Sequence, residues 1–335
     1  MAADIDAASD LSVKRLLLFS VTLVVAALAL RAGGGTAAPN YAATASVSGE
    51  IAATGPDTME SVMQRWNMAF RQLQPGAKIQ FKTTTSESRD RTALGPDTEE
   101  VFASTGEVFA QKYHYDPLRV MVSLATFDTP KRVQALGVFV HSSNPLAGLT
   151  LAQLDRIYST AHRRGWPREI KTWGDLGLTG EWAARPIHAY SRSLDNEATT
   201  HVREVVCRGA EFSPTVTVPG KGVSVDVVGA IAADQDGIGF AGFAYQSAGV
   251  RALPLAEEDG QPFVVATAES CATNRYPLDR PLCFYVNRRP GTPVDPIVRE
   301  FIRFVLSPDG QAINALENYL PLTPAQMATE LAKLN

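Results

Sequence analysis

The chain has 335 residues, 45% of them hydrophobic and 20% charged, with a net charge of −4. That balance supports a packed core and excludes an intrinsically disordered chain, and the lack of a basic surplus excludes extended binding to nucleic acid or to an anionic membrane surface. Any anion site has to be local, and the length suits two domains better than a single core.

Near the start, Lys14 and Arg15 precede an apolar run from Leu16 to Leu30, fifteen residues broken only by Ser20 and Thr22. A bilayer-spanning helix needs about 20 such residues. Gly33 to Gly35 and the small residues Thr36-Ala37-Ala38 and Tyr41-Ala42-Ala43-Thr44-Ala45 follow. Residues 1–45 therefore read as a cleaved signal peptide and linker, with an uncleaved anchor as the alternative because residues 1–10 are acidic. No cysteine follows the run closely, which rules out a lipid anchor there. Cys207, Cys271 and Cys283 form no CxxC and the five histidines are scattered, so no metal site is expected. In an oxidising compartment one cysteine pair can form, leaving the third free.

Residues 46–52 alternate as a strand and lead through Gly55-Pro56-Asp57-Thr58-Met59-Glu60 into a helix carrying Val62, Met63, Trp66, Ala69 and Phe70. Asp57 is placed as its N-cap, with Glu60 completing a capping box. A strand, tight turn and helix point free N–H groups and the positive end of the helix dipole outward, which suits an anion. A second strand spans Lys78 to Lys82, followed by the hydroxyl-rich run Thr83 to Ser88 and by a second capped turn, Gly95-Pro96-Asp97-Thr98-Glu99-Glu100.

Strands are expected at Arg119 to Ser123 and at Ala135 to His141, the latter a continuous apolar run of the kind covered on both faces. Thr150 and Gln153 form a capping box on a helix to Tyr158. In the strand Pro186 to Arg192, the residues His188, Tyr190 and Arg192 share one face. A helix over 223–233, a strand-like stretch from Ile238 to Tyr245, a strand over 282–286 and helices over 295–306 and 309–316 complete an α/β pattern.

No constellation for catalysis stands out. Gly237, Gly239 and Gly242 match GxGxxG, but the motif follows a helix instead of closing a strand. His141 and Ser142 are adjacent on a strand and point to opposite faces. No enzyme and no cofactor are expected.

Asn144-Pro145-Leu146, Gly148-Leu149-Thr150, Lys171 to Ala183, Asp236 to Phe240, Tyr276 to Leu282, Phe304 to Ser307 with Gly310-Gln311, and Tyr319 to Leu322 occur in this order. Together with Gly55 to Met59 they resemble the periplasmic phosphate-binding protein family, the receptors of ABC phosphate importers. The resemblance implies two α/β lobes joined by a two-stranded hinge, the type II periplasmic-binding-protein fold. It places the first lobe at residues 46–138 and 281–335 and the second at 139–280, with Ala135 to His141 and Leu282 to Val286 as the hinge strands.

It further implies an anion enclosed between the lobes. Thr58 and the Met59 N–H match the first ligand-binding element, and Thr84, Thr85 and Ser86 fall at the second. Arg192, with Asp195, matches the third, a surface salt bridge between the two being the bland alternative. Asp195-Asn196-Glu197-Ala198-Thr199 replaces the family's glycine-containing turn, and Glu197 adds a like charge near an anion. A carboxylate there can instead accept a hydrogen bond from a protonated phosphate. The function implied is a monomeric, exported receptor that delivers phosphate or a related oxyanion to an ABC permease. The alternative is a cell-surface interaction protein that has lost binding.

Overall fold

The computed structural model of the chain describes residues 39–84, 101–104, 117–127, 129–130, 132–288 and 291–335. From Tyr41 onward the chain forms one unit, to which everything below refers. Its strands are β1 (Gly49–Pro56), β2 (Ala77–Thr84), β3 (Val101–Ser104), β4 (Leu118–Ser123), β5 (Leu136–His141), β6 (Leu149–Thr150), β7 (His188–Tyr190), β8 (Gly237–Gly242), β9 (Val250–Ala252), β10 (Leu255–Ala256) and β11 (Leu282–Val286). The helices are α1 (Glu60–Leu73), α2 (Leu151–Tyr158), α3 (Glu197–Val205), α4 (Ser224–Ala233), α5 (Ala268–Ala272), α6 (Pro296–Val305), α7 (Pro308–Leu316) and α8 (Pro324–Ala332). The fold is α/β, as expected.

Two main sheets organise these elements, with orders β2-β1-β3-β11-β4 and β7-β8-β5-β9. β1 is parallel to β2 and β3, whereas β11 runs antiparallel to β3 and β4. On the first sheet, Phe284 of β11 stacks on Phe301 of α6 at 5.9 Å and meets Trp66 of α1 edge-on at 5.8 Å. The Trp66 Nε1–H donates to the Gly310 carbonyl at 3.0 Å, which ties α1 to α7. Tyr41 and Thr44, at the end of the expected linker, dock on the same helices: the Tyr41 hydroxyl and the Thr44 N–H both donate to the buried carboxylate of Glu300. In the second sheet, Phe139, Ala241 and Val250 pack against Val227, Val228 and Ile231 of α4.

The strands expected to form the hinge do not pair with one another. β5 lies between β8 and β9, and β11 between β3 and β4. The whole of β5 belongs to the second sheet, so the first crossing precedes residue 136. The reason is visible in their composition, because continuous apolar runs are buried on both faces and therefore occupy sheet interiors. The chain crosses between the sheets in the irregular segments 124–135 and 273–281. These meet where the Leu136 N–H donates to the Leu278 carbonyl at 3.3 Å and the Tyr276 hydroxyl donates to the Leu136 carbonyl at 2.8 Å.

Other expectations shift locally. Asp57 does not cap α1, because a 3₁₀ turn (Asp57–Met59) with Pro56 at its own cap position intervenes, Met59 takes the cap position of α1, and Glu60 becomes the first α-helical residue. No side chain then caps this amino end. The Thr150–Gln153 capping box forms as expected. β7 ends at Tyr190, leaving Arg192 beyond the strand. The three cysteines are all buried and free, so the expected pair is not formed. Gly237, Gly239 and Gly242 all lie inside β8, where a Cβ on Gly239 would come within 2.8 Å of Val227 and 2.9 Å of Ile231. Close packing of α4, not a nucleotide, requires that glycine. Residues 95–100 and the run Thr85 to Ser88 lie outside the described residues. Among the described residues no helix is long and apolar enough to cross a membrane.

Phe284→Ala removes the ring at the centre of the first core and is expected to cost about 3–5 kcal/mol, read by equilibrium urea unfolding. Val225→Ala, at an exposed position, is expected to change stability by less than about 0.5 kcal/mol.

Candidate functional site

Parallel pairing brings the carboxyl ends of β1 and β2 together, with Pro56 opposite Thr84. The hydroxyl run therefore begins beside the turn that carries Thr58. On the second sheet, β7 and β8 are also parallel, and the segment holding Arg192 leaves the carboxyl end of β7. Ligands of open α/β sheets bind outside such ends. A cavity of about 230 Å³ opens there, lined from the first half by Pro56, Asp57 and Thr58, from the second by Leu136, Arg192, Asn196, Glu197, Val223, Ser224, Gly242 and Tyr245, and from the crossings by Arg132, Val133, Gln134 and Arg280.

Three helix starts converge on this space. The Thr58 turn leads into α1, Asn196 caps α3 by accepting the Ala198 N–H at 2.9 Å, and Val223 and Ser224 open α4. Each contributes the partial positive charge of unpaired N–H groups. The Thr58 Oγ1 and the Arg192 Nε are both buried and without a hydrogen-bond partner. Leaving such groups unsatisfied costs about 1–3 kcal/mol each, and both belong to residues that line the cavity. Burial lowers the Arg192 guanidinium below its ordinary value, while Tyr245 and Glu197 act to raise it.

Local structure explains how the turn is held. α7 ends in a Schellman motif in which the Tyr319 N–H donates to the Asn314 carbonyl at 2.9 Å and the Asn318 N–H to that of Ala315 at 3.2 Å. Asn318 takes the left-handed conformation (φ 63°) that the motif requires. This aims Tyr319 inward, where its hydroxyl donates to the Thr58 carbonyl at 2.8 Å and accepts the Val133 N–H at 3.4 Å. Burial is the main reason that its hydroxyl is pushed up to about 12.

Of the residues expected from the sequence, Thr58 and Arg192 line one cavity. Met59, expected to act through its backbone N–H, is not among the lining residues, and its side chain is buried in the core. The backbone of Thr84 lies beside Pro56, and Thr85 and Ser86 lie outside the described residues. Asp195 is an exposed residue that accepts the Ser193 hydroxyl, so it is neither a cavity residue nor the salt-bridge partner of Arg192. The next two residues, Asn196 and Glu197, take its place at the wall. Glu197 does not stand as an isolated like charge, because Arg280 approaches it to 3.8 Å.

Arg132, Gln134, Ser224, Tyr245 and Arg280 were not foreseen. Arg280 did carry a signal, as a lone cation in the largely apolar stretch from Tyr276 to Val286 that ends up buried. Arg132 carried none.

Two other constellations resolve into local structure. The His141 Nδ1 lies 2.7 Å from the Ser143 hydroxyl and accepts the Ser143 N–H, forming a turn at the end of β5. His188, Asp234 and Asp236 cluster, but Asp236 binds Arg185 at 2.6 Å, and Asp234 is shared by His188 and the Tyr190 hydroxyl.

Beside the cavity, Asp279 is pushed up to about 6, chiefly by burial, against the pull of the Arg280 N–H, the Cys271 thiol and the Arg280 charge. An unfolded aspartate titrates near 4, so the folded state holds this proton more tightly. The contribution of Asp279 to stability is greatest in acid and falls as the pH rises from about 4 through about 6. Asp279→Asn is expected to remove that decline, so the stability difference between variant and unaltered chain should grow across this window in thermal melts. A difference independent of pH would contradict the assignment.

The PBP superfamily domain matches residues 40–309. The chain is 35% identical over 305 residues to the phosphate-binding protein PstS of Pseudomonas aeruginosa, covering 89% of this chain and 90% of that one. Among solved structures, PstS from Borrelia burgdorferi superposes with a TM-score of 0.58 at 15% identity, over 82% of this chain and 99% of that one. An ABC-type phosphate transport receptor from Vibrio cholerae gives a TM-score of 0.57 at 16% identity, over 82% and 100%. At such identities the two structures speak to the fold alone.

Proposed function

We propose, because the chain belongs to the PBP superfamily and within it to the phosphate-binding protein family, that it is an exported receptor which captures phosphate and delivers it to an ABC importer. The observation that carries this reading is the placing of Thr58 and Arg192, each with a buried unpartnered polar atom, in the lining of one cavity at the carboxyl ends of strands from two sheets. Three helix starts supply further donors for a tetrahedral oxyanion, and the planar guanidinium of Arg192 suits two of its oxygens.

In this reading the protein holds its ligand without turning it over and acts as a monomer. The segment of residues 1–45 directs export, and the ligand passes to a membrane permease. The two sheet-centred halves serve as lobes, and the crossings at 124–135 and 273–281 serve as the hinge. A second reading rests on Asp57 and Glu197, two carboxylates lining the same cavity: a cell-surface interaction protein on this scaffold that no longer binds phosphate.

Isothermal titration separates the two. Phosphate is expected to bind at one site, more tightly than sulfate, and Arg192→Ala is expected to weaken it by about 2–5 kcal/mol, the range for removing one partner of a buried charged contact. No heat and no change in tryptophan fluorescence at millimolar phosphate would overturn the receptor reading in favour of the second.

A further inference from the structure

Each crossing between the sheets delivers one arginine to the cavity, Arg132 from the first and Arg280 from the second. Neither belongs to a strand-turn-helix element, and both are held in place by carboxylates. The Arg132 Nη2 donates to the Glu317 Oε2 at 2.7 Å, and Glu317, itself 3% exposed, also binds Arg65 and accepts the Ser61 hydroxyl at 2.7 Å. One carboxylate thus serves two guanidinium groups and a hydroxyl, and the Arg132 Nε remains buried without a partner.

Arg280, with its side chain 6% exposed, faces Glu197 at 3.8 Å. That separation is longer than a close charge-assisted hydrogen bond of about 2.7–2.9 Å, and the Arg280 side chain itself lines the cavity. The other charged or titratable neighbours of the two arginines are Tyr319, Asp279, His201 and Arg119. Burial first, and then Arg280 and Arg119, keep His201 neutral, down at about 3. Across the cavity, three guanidinium groups face the carboxylates Asp57 and Glu197, and Glu317 stands behind Arg132.

Resting on the phosphate reading above, we infer that Arg132 and Arg280 are ligand-binding residues that select for ligand charge, closing with Arg192 a clamp of three guanidinium groups that prefers a dianionic to a monoanionic oxyanion. A second negative charge on the ligand is worth most where water is excluded, and both arginines reach the cavity from buried or half-buried stations. Arg132 and Arg280 bring the guanidinium groups to three against the carboxylates Asp57 and Glu197, so the lining keeps a net positive charge, and a positive site in poorly hydrated surroundings favours the ligand that carries more negative charge. Because they ride on the crossings, the ligand is gripped by the segments that join the halves as well as by the halves themselves.

The test is isothermal titration of the full chain with inorganic phosphate at two pH values, one below and one above the second ionisation of phosphate. The unaltered chain, Arg132→Gln, Arg132→Lys and Arg280→Gln are compared, each checked by thermal melting. The unaltered chain is expected to bind more tightly at the higher pH. Arg132→Gln and Arg280→Gln are each expected to lose about tenfold or more there, with a smaller loss at the lower pH, so that the preference for the dianion flattens. A merely structural role would weaken binding equally at both. Arg132→Lys keeps the charge without the planar fork and should retain the pH preference at reduced affinity, which covers the case in which a glutamine variant fails to fold. Phosphate binding by the unaltered chain, with equal affinity and pH profile in Arg132→Gln, would overturn this inference alone. No phosphate binding by the unaltered chain would overturn it together with the receptor reading.

Discussion

The cavity depends on two side chains that stand one residue apart near the end of the chain. Glu317 and Tyr319 flank the left-handed Asn318, and between them they fasten the Thr58 turn, α1 and the first crossing to one another. A buried carboxylate is tolerable only with its charge matched and its lone pairs used, and Glu317 meets both conditions through Arg65, Arg132 and Ser61. Tyr319 then accounts for a carbonyl and an N–H that would otherwise be orphaned in a dry region. Segments some 260 residues apart in sequence thereby share one anchoring point.

Around that anchor three arginines line the cavity with the carboxylates Asp57 and Glu197, and Glu197 and Glu317 each have a guanidinium group close by. Glu197, which replaces a turn able to offer backbone N–H groups, is met by Arg280 from a crossing segment. Guanidinium groups thus line the cavity beside Asn196 and Glu197. These are longer-range and less demanding of local glycine, and they are sensitive to the charge of the ligand as well as to its shape.

Much of the fold could be read from residue patterns. The unbroken apolar run of β5 announced a strand buried on both faces, the capping box at Thr150 marked the start of α2, and the amphipathic spacing from Asp295 marked α6. These signals are local, since period and capping are properties of neighbouring residues. The expectation that β5 and β11 form a hinge did not hold, because an apolar run says that a strand is covered without saying by what. The Asp57 cap was misplaced for a related reason: an intervening 3₁₀ turn moves the cap of α1 from Asp57 to Met59, a shift of two residues.

The amino-acid sequence by itself determined the α/β class, the order of the elements, the family resemblance, and two residues that line the cavity and sit in recognisable local motifs, Thr58 after β1 and Arg192 after β7. Only the tertiary structure decided that Arg132, Ser224, Tyr245 and Arg280 join them, that Asp195 turns away toward Ser193, and that Glu197 is answered by a cation. The physical reason is that a charge meets its partner across space. The pairs Arg132–Glu317 and Arg280–Glu197 bring together residues far apart in the chain, and no periodicity or spacing along it encodes which carboxylate a given arginine will face.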